Sequence, residues 1–165
     1  AEQSLPRSSG ARMIIDCAVD FEAWGTIESL EAMSLKAIQA TCDHVGLVNA
    51  EESEVSLLFT SDHHIHQLNR QWRDQDKPTN VLSFAAHETG GPVTPILGDI
   101  VLAQETISKE AKQQNKSHDD HLTHLIVHGF LHLLGHDHQD DAEALQMEKL
   151  ETDILAGLGI ADPYA

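Results

Sequence analysis

Positively charged side chains are scarce in this sequence. Its 165 residues include 10 lysines and arginines against 27 aspartates and glutamates, so the formal net charge is −17. A protein that binds nucleic acid through a broad basic surface needs the opposite balance of charge. The composition therefore excludes that class of binder, and any contact with a nucleic acid has to be local. One small basic group is present at Arg70, Arg73 and Lys77, although Asp74 and Asp76 interrupt it.

Aromatic residues, cysteines and long apolar segments are equally rare. Aromatic side chains make up 4% of the residues, which is too few for a broad platform on which bases could stack. Cys17 and Cys42 form no C-x-x-C motif and define no disulfide framework, so we expect buried thiols in a reducing compartment. Because no apolar run suggests a membrane span or a signal peptide, the sequence predicts a cytoplasmic protein without a membrane partner.

Three histidines, His128, His132 and His138, follow the spacing H-x-x-x-H-x-x-G-x-x-H, with Gly135 as the glycine. Because a step of four residues returns nearly to the same face of a helix, the rings of His128 and His132 can converge on one ion. A glycine just past the last helical residue can adopt a left-handed conformation and reverse the chain, which allows His138 to return as a third ligand. Three protein nitrogens leave one position of a tetrahedral zinc ion open, as in catalytic rather than structural sites.

The same helix offers an alternative pair of ligands. His121, His124, His128 and His132 follow one another at steps of three, four and four residues, so all four lie on one stripe. His124 and His128 could therefore hold the ion instead, and a polar helix face without any ion is a further alternative. We favour His128 and His132 because the turn directs His138 back to them. His121 and His124 would then line the cleft, where they could hydrogen-bond to a metal-binding side chain or contact the substrate. The alternative is that both are ordinary, partly exposed polar residues.

The histidine run resembles the zinc-binding motif of the metzincin peptidases, but it lacks their glutamate. In H-E-x-x-H enzymes the residue after the first histidine takes a proton from the metal-bound water. That position is Gly129 in this sequence. Ordinary zinc-peptidase chemistry is therefore disfavoured.

The apolar pattern predicts one α+β domain over residues 13–165. Residues 1–12 are polar and precede Met13, and we interpret them as a flexible leader or a remnant of cloning. We expect a mixed sheet of about four strands packed with about five helices, with the metal site on a central helix and the turn after it. The predicted strands are residues 13–19, 54–60, 81–84 and 98–102; the predicted helices are residues 22–44, 63–72 with Asp62 as the N-cap, 105–115, 118–134 and 140–158; residues 88–95 form a predicted loop.

Further segments with recognisable patterns are LNRQWR at residues 68–73, DKPTNVLSF at 76–84, LGDIV at 97–101, and LGI and DPY within 158–164. Together with the histidine run at 128–138, they make the sequence similar to the YbeY-type bacterial endoribonucleases, which act in ribosomal RNA maturation. One departure is His136, where many relatives have a tyrosine. This difference alters the surroundings of the metal without removing a ligand.

The resemblance implies a metal-dependent endoribonuclease that cuts single-stranded RNA and holds one zinc ion per chain. Its expected tasks are processing of the 3′ end of 16S ribosomal RNA and ribosome quality control. An acidic nuclease gains specificity by being brought to its RNA. The resemblance implies small-subunit ribosomal proteins or an assembly GTPase as the partners, and no DNA is expected. Two alternatives stay open: a metal-dependent hydrolase of a peptide or amide bond, and a non-catalytic zinc-binding ribosome assembly factor.

Arg73 is the predicted catalytic residue. Negative charge that develops during phosphodiester cleavage needs a cation, and a guanidinium can grip two phosphate oxygens at once. The resemblance points to the same arginine. A zinc ion can lower the pKa of its bound water to about 7, which could activate hydrolysis without the missing glutamate. The alternative role for Arg73 is an ion pair with Asp74 or Asp76.

Other polar residues are candidates for supporting roles. Asp137 could orient a histidine or a water, or it could be a solvated acid at the end of the helix. Ser83 could support a metal ligand or contact the substrate. Asp99 is a weaker candidate. Residues 79–84 look like an edge strand along the cleft, where extended backbone could bind riboses and Phe84 could stack on a base, although core packing is the expected role of the apolar residues there.

Overall fold

Four strands form one mixed sheet in the computed structural model of the chain, which describes residues 13–47, 52–86, 95–136 and 140–164. The strands are β1 (Ile14–Val19), β2 (Glu54–Thr60), β3 (Val81–Ala85) and β4 (Ile96–Ala103). Their order across the sheet is β1-β2-β4-β3. β1, β2 and β4 run parallel to one another, whereas β3 pairs antiparallel with β4 and lies at an edge, as predicted.

Helices cover both faces of this sheet. They are α1 (Ile27–Val45), α2 (Asp62–Arg73), α3 (Gln104–Gln113), α4 (His118–Leu133) and α5 (Asp141–Gly157). Side chains of α1, α4 and α5 form the main core with one face of the sheet, while Ile65 of α2 packs with Leu82 and Val101 on the other face. This division follows from the alternation of side chains along each strand. The prediction of a single α+β domain with a four-stranded mixed sheet and five helices is confirmed.

α4 is the central helix and the element that positions the site. It contacts α1, α3 and α5 as well as β3 and β4. The helix begins after Ser117, whose hydroxyl accepts a hydrogen bond from the Asp120 amide at 3.1 Å. It ends before Gly135, which has a φ of +99°. The amides of Gly135 and His136 donate to the carbonyls of His132 and Leu131, each at 3.0 Å, which is the Schellman pattern of chain reversal. The predicted glycine turn is therefore confirmed.

Two local predictions were wrong. The helix predicted over residues 22–44 is interrupted, because a 3-10 turn at Glu22–Trp24 ends at Gly25, with a φ of +89°, before α1 begins. Asp62 is not the N-cap of α2; the Ser61 hydroxyl caps it by accepting from the His64 amide at 3.3 Å. The Asp62 carboxylate instead accepts from the amide and the hydroxyl of Thr106, which ties α2 to α3.

Cys17 and Cys42 are buried and form no disulfide with each other, as expected. Burial raises the pKa of Cys17 to about 11 and that of Cys42 to about 12, so both thiols stay protonated at neutral pH. In the described part of the chain, no helix has the length and apolar character needed to cross a membrane. The predicted leader at residues 1–12 and nearly all of the predicted loop lie outside the described residues.

Candidate metal centre

His128 and His132 bring two imidazole nitrogens together on one face of α4. Their Nε2 atoms lie 3.2 Å apart and their ring centroids 4.7 Å apart. Two zinc–nitrogen bonds of about 2.0–2.1 Å that meet at a tetrahedral angle place the two nitrogens about 3.3 Å apart. The histidine pair therefore fits a shared zinc ion.

The third predicted ligand, His138, and its neighbour Asp137 lie outside the described residues. Accordingly, no group of three or more histidine, cysteine, aspartate or glutamate side chains suited to a metal ion is found among the residues that are described. The described residues that include α4 extend as far as His136, just after the chain reverses at Gly135. Two predicted ligands are thus brought together, and His138 remains a prediction.

His121 and His124 lie on the same stripe of α4, but carboxylates hold their Nε2 atoms. His124 Nε2 is 2.5 Å from Glu151 Oε1, and His121 Nε2 is 2.8 Å from Glu110 Oε1. The ring centroids of His124 and His128 are 6.3 Å apart, farther than those of His128 and His132. This geometry favours the His128 and His132 pair over the alternative pair. Burial lowers the pKa of His121, an effect that the hydrogen bond donated by His121 to Glu110 opposes.

Glu151 of α5 is a site residue that the sequence reasoning missed. Its side chain is 1% exposed, and its carboxylate is in hydrogen-bond contact with His124 Nε2, with His128 Nδ1 at 2.9 Å and with the Tyr164 hydroxyl at 2.5 Å. Burial would raise the pKa of Glu151, but the hydrogen bonds from His124, His128 and Tyr164 outweigh it and lower the pKa to about 2. The carboxylate is therefore ionised at neutral pH.

A signal for Glu151 was present in the sequence. It lies on the buried stripe of α5 between Met147 and the pair Ile154 and Leu155, at helical spacings of four, three and four residues. An acid on such an apolar stripe must find partners when it is buried. The same carboxylate holds the DPY segment near the C-terminus, since it accepts from Tyr164, and burial raises the pKa of that phenol further above its ordinary value.

Arg73, at the end of α2, reaches across to β3. Its Nη2 donates to the Ser83 carbonyl at 2.6 Å, and the guanidinium carbon lies 4.7 Å from the centre of the Phe84 ring. Asn80 and Ala86, on either side of β3, form backbone hydrogen bonds with β4. Because every second residue of an antiparallel strand turns its backbone groups away from the partner strand, the carbonyl of Ser83 points away from β4, towards the open edge of the sheet. Arg73 makes no ion pair within the described residues, whereas Asp76 contacts His66 at 2.7 Å. The predicted Arg73 site is therefore exposed and not neutralised by Asp74 or Asp76.

Ser83 and Gly129 join the strand that holds Arg73 to the helix that holds the histidines. The Ser83 hydroxyl donates to the Gly129 carbonyl at 2.9 Å. A Cβ atom at Gly129 would lie 3.0 Å from both Ile100 Cγ2 and Ser83 Oγ, and 3.3 Å from Val81 Cγ2. The close packing of α4 on the sheet therefore crowds any side chain at this position, including the glutamate that metzincins carry there.

A cavity of about 330 Å³ opens beside the histidine pair. His121, His124 and His128 line it from α4, together with Asn80, Glu110 and Tyr164. Asn80 donates to Glu110 Oε1 at 2.9 Å, so this wall is polar and already hydrogen-bonded. Asp99 faces Phe84 across the β3–β4 pair, and no hydrogen bond in the described residues joins it to the histidine pair.

The chain is similar to known proteins in sequence and in fold. The sequence profile of the family described as Endoribonuclease YbeY matches residues 19–159. The chain is 51% identical over 164 residues to Endoribonuclease YbeY of Agrobacterium fabrum, covering 94% of this chain and 96% of that protein. It is also 51% identical over 153 residues to Endoribonuclease YbeY of Bartonella quintana, covering 92% and 96%. The solution structure of TM1509 from Thermotoga maritima shares the fold, with a TM-score of 0.55, 24% identity, and coverage of 91% and 98%.

Proposed function

The chain belongs to the YbeY endoribonuclease family, and from that premise we propose that it is a zinc-dependent endoribonuclease that cuts single-stranded RNA during ribosomal RNA maturation. The proposed ligands are His128, His132 and His138, and the proposed catalytic cation is Arg73. The observation that carries the proposal is the 3.2 Å approach of the two Nε2 atoms on α4, because that spacing suits one shared metal ion.

Arg73 is suited to hold a phosphate. A guanidinium has five N–H donors, and the Ser83 carbonyl takes a bond from only one of its nitrogens. The remaining donors of this exposed group can bind two phosphate oxygens and offset the charge that develops on them during cleavage. The Phe84 ring and the Ser83 carbonyl together hold the guanidinium at the edge of β3, beside the helix that carries the histidines.

Among the residues that the structure describes, none beside the histidine pair supplies the general base of a zinc peptidase. Gly129 has no side chain, and the Glu151 carboxylate is buried and already accepts three hydrogen bonds. A zinc ion, when bound, would supply a Lewis acid for a phosphate oxygen and an activated water. Phosphodiester cleavage, for which Arg73 provides the charge, suits this site better than peptide cleavage.

The net charge of −17 supports delivery of the enzyme to its RNA by a protein partner. With so few cations, free RNA would be held weakly and locally. We therefore expect a small-subunit ribosomal protein or an assembly GTPase to bring the enzyme to precursor ribosomal RNA, and we expect it to work in the cytoplasm. If a partner delivers the enzyme, depletion of that partner should lower cleavage of precursor ribosomal RNA and leave cleavage of a short free RNA unchanged.

The test of the enzymatic proposal is cleavage of a labelled single-stranded RNA by protein that is stripped of metal and then given one equivalent of zinc. Cleavage should cease on stripping and return with zinc. Arg73→Ala should cut about 100- to 1000-fold more slowly, the cost of losing one preorganised donor to a developing oxyanion. It should still bind zinc.

The matched control is Arg70→Ala, which removes another exposed arginine from the same helix. It should cut at nearly the parent rate. If the stripped protein cuts as fast as the loaded one, the activity comes from a contaminant. If Arg73→Ala and Arg70→Ala cut equally fast, Arg73 is not the catalytic cation.

A further inference from the structure

Glu151 contacts two histidines of α4 through different ring nitrogens. It meets His124 at Nε2 and His128 at Nδ1, at 2.5 and 2.9 Å. An ionised carboxylate can only accept hydrogen bonds, so the nitrogen that faces it must carry the proton. A neutral imidazole has one N–H, and the other ring nitrogen then carries the lone pair.

We propose that Glu151 is a positioning residue for the metal centre, and that its carboxylate keeps His128 in the tautomer whose Nε2 lone pair faces His132. The inference rests on the proposed metal site, because His128 needs that lone pair only if it is a ligand. Nε2 of His128 lies 3.2 Å from Nε2 of His132, on the side of the ring away from Glu151. Metal-binding histidines commonly donate their other N–H to a carboxylate in this way.

The contact does more than fill the space between α4 and α5. Glu110 makes a comparable contact with His121 at 2.8 Å, but there the carboxylate meets Nε2. The contacts therefore place the proton on Nε2 in His121 but on Nδ1 in His128. Among the carboxylate-bonded histidines of α4 in the described chain, only His128 meets its carboxylate through Nδ1, and its Nε2 faces His132 instead.

The first test needs no substitution. Nitrogen NMR of isotope-labelled, metal-free protein, at a pH above the ordinary histidine pKa of about 6.5, reports which ring nitrogen is protonated. His128 should be protonated at Nδ1, and His121 and His124 at Nε2. A His128 protonated at Nε2 in this spectrum would overturn the proposal directly.

The second test compares Glu151→Gln with Glu110→Gln, which makes the same chemical change at the other carboxylate. His124 and His128 meet different oxygens of Glu151, and an amide has a single oxygen, so Glu151→Gln cannot accept from both histidines in their present positions. Its zinc affinity, measured by competition with a chromogenic chelator, should fall about 10- to 100-fold, the usual cost of losing a partner that orients a ligand. Glu110→Gln should keep the affinity of the parent.

Tyr164→Phe provides a third comparison, because it removes one donor to Glu151 without touching His128. It should keep both the Nδ1-protonated His128 and the parent zinc affinity. If Glu151→Gln fails to fold, as judged by circular dichroism, the tautomer of the parent protein still decides the question.

The failures of the two proposals are distinguishable. Equal zinc affinity in the parent, Glu151→Gln and Glu110→Gln, with all three binding zinc tightly, would sink the role of Glu151 and leave the metal centre intact. Weak zinc binding by the parent itself would sink the metal centre. The role of Glu151 would fall with it.

Discussion

The two halves of α4 carry histidines at similar spacings but use different ring nitrogens. In the N-terminal half, the Nε2 atom of each histidine lies within hydrogen-bond distance of a side-chain oxygen on another helix. The pairs are His118 with Gln104 at 2.7 Å, His121 with Glu110 at 2.8 Å and His124 with Glu151 at 2.5 Å. In the C-terminal half, His128 presents Nδ1 to Glu151 and its Nε2 approaches His132.

This difference shows that spacing along a helix does not decide which histidines can bind a metal. An imidazole whose Nε2 faces a carboxylate has only Nδ1 to offer, and the Nδ1 atoms of His121 and His124 are buried. The side chains of His121 and His124 are 4% and 10% exposed, against 22% for His128. The partners around the helix, together with burial, favour the C-terminal half as the metal site.

The largest effect is expected from His132→Ala. Removing a ligand should lower zinc affinity by more than about 100-fold, because the loss of a residue that only orients a ligand already costs about 10- to 100-fold. Competition with a chelator gives the affinity, and circular dichroism of the metal-free protein checks the fold. The folded variant should also lose RNA cleavage.

His118→Ala is the control from the N-terminal half of α4. It removes a partly buried ring that contacts Gln104, and it should keep the zinc affinity of the parent. The opposite pattern, in which His118→Ala loses zinc and His132→Ala keeps it, would reverse the assignment of the two halves.

The features of α4 that could be predicted from the sequence are the local ones. The stripe of histidines and the turn at Gly135 depend on contacts within a few residues, such as the bond from the His136 amide to the Leu131 carbonyl. Strand β2 was predicted with the correct bounds for a similar reason, since its apolar residues alternate. Local patterns of this kind do not depend on how the elements pack.

The features that could not be predicted depend on packing between distant elements. Glu151 reaches His128 across 23 residues of sequence, and Ser83 reaches Gly129 across 46. Nothing near Gly129 in the sequence shows that a strand lies against it. The absence of a glutamate there was visible, but its steric cause needed the positions of Ile100 and Ser83. The choice of ring nitrogen at each histidine depends on packing in the same way.

A smaller effect is expected at Gly129, which follows the first histidine of the C-terminal half. Alanine favours a helix interior over glycine by about 1 kcal/mol. At this position, however, the added Cβ would lie 3.0 Å from Ile100 Cγ2 and from Ser83 Oγ. Overpacking costs about 1–3 kcal/mol, so Gly129→Ala should lower the free energy of unfolding by about 1 kcal/mol. Urea denaturation of metal-free protein measures this change.

Gly157→Ala is the comparison for Gly129→Ala. Gly157 ends α5, and a Cβ there would meet no atom within 4 Å. Its stability should stay the same or rise by up to about 1 kcal/mol. An equal gain in both variants would show that α4 and the sheet have space between them, and the steric explanation for the missing glutamate would be lost.

The smallest effect is expected from protonation of His121 in the N-terminal half. Burial lowers its pKa, and the charged groups that bear on it are Glu110, Lys116 and His124. Between its folded pKa and the unfolded value of about 6.5, the unfolded chain binds more protons than the folded one. The contribution of neutral His121 is therefore complete above about pH 6.5 and is lost as the pH falls towards the folded pKa, by at most about 1.4 kcal/mol per pH unit.

Urea denaturation of metal-free protein at several pH values, with His121→Gln beside the parent, isolates this contribution. The variant keeps a side chain that can donate to Glu110, but it cannot titrate. Its free energy of unfolding should fall less steeply below pH 6.5 than that of the parent. If the parent and the variant lose stability in parallel, then His121 titrates as it does in the unfolded chain. Burial would in that case not separate the N-terminal half of α4 from the C-terminal half.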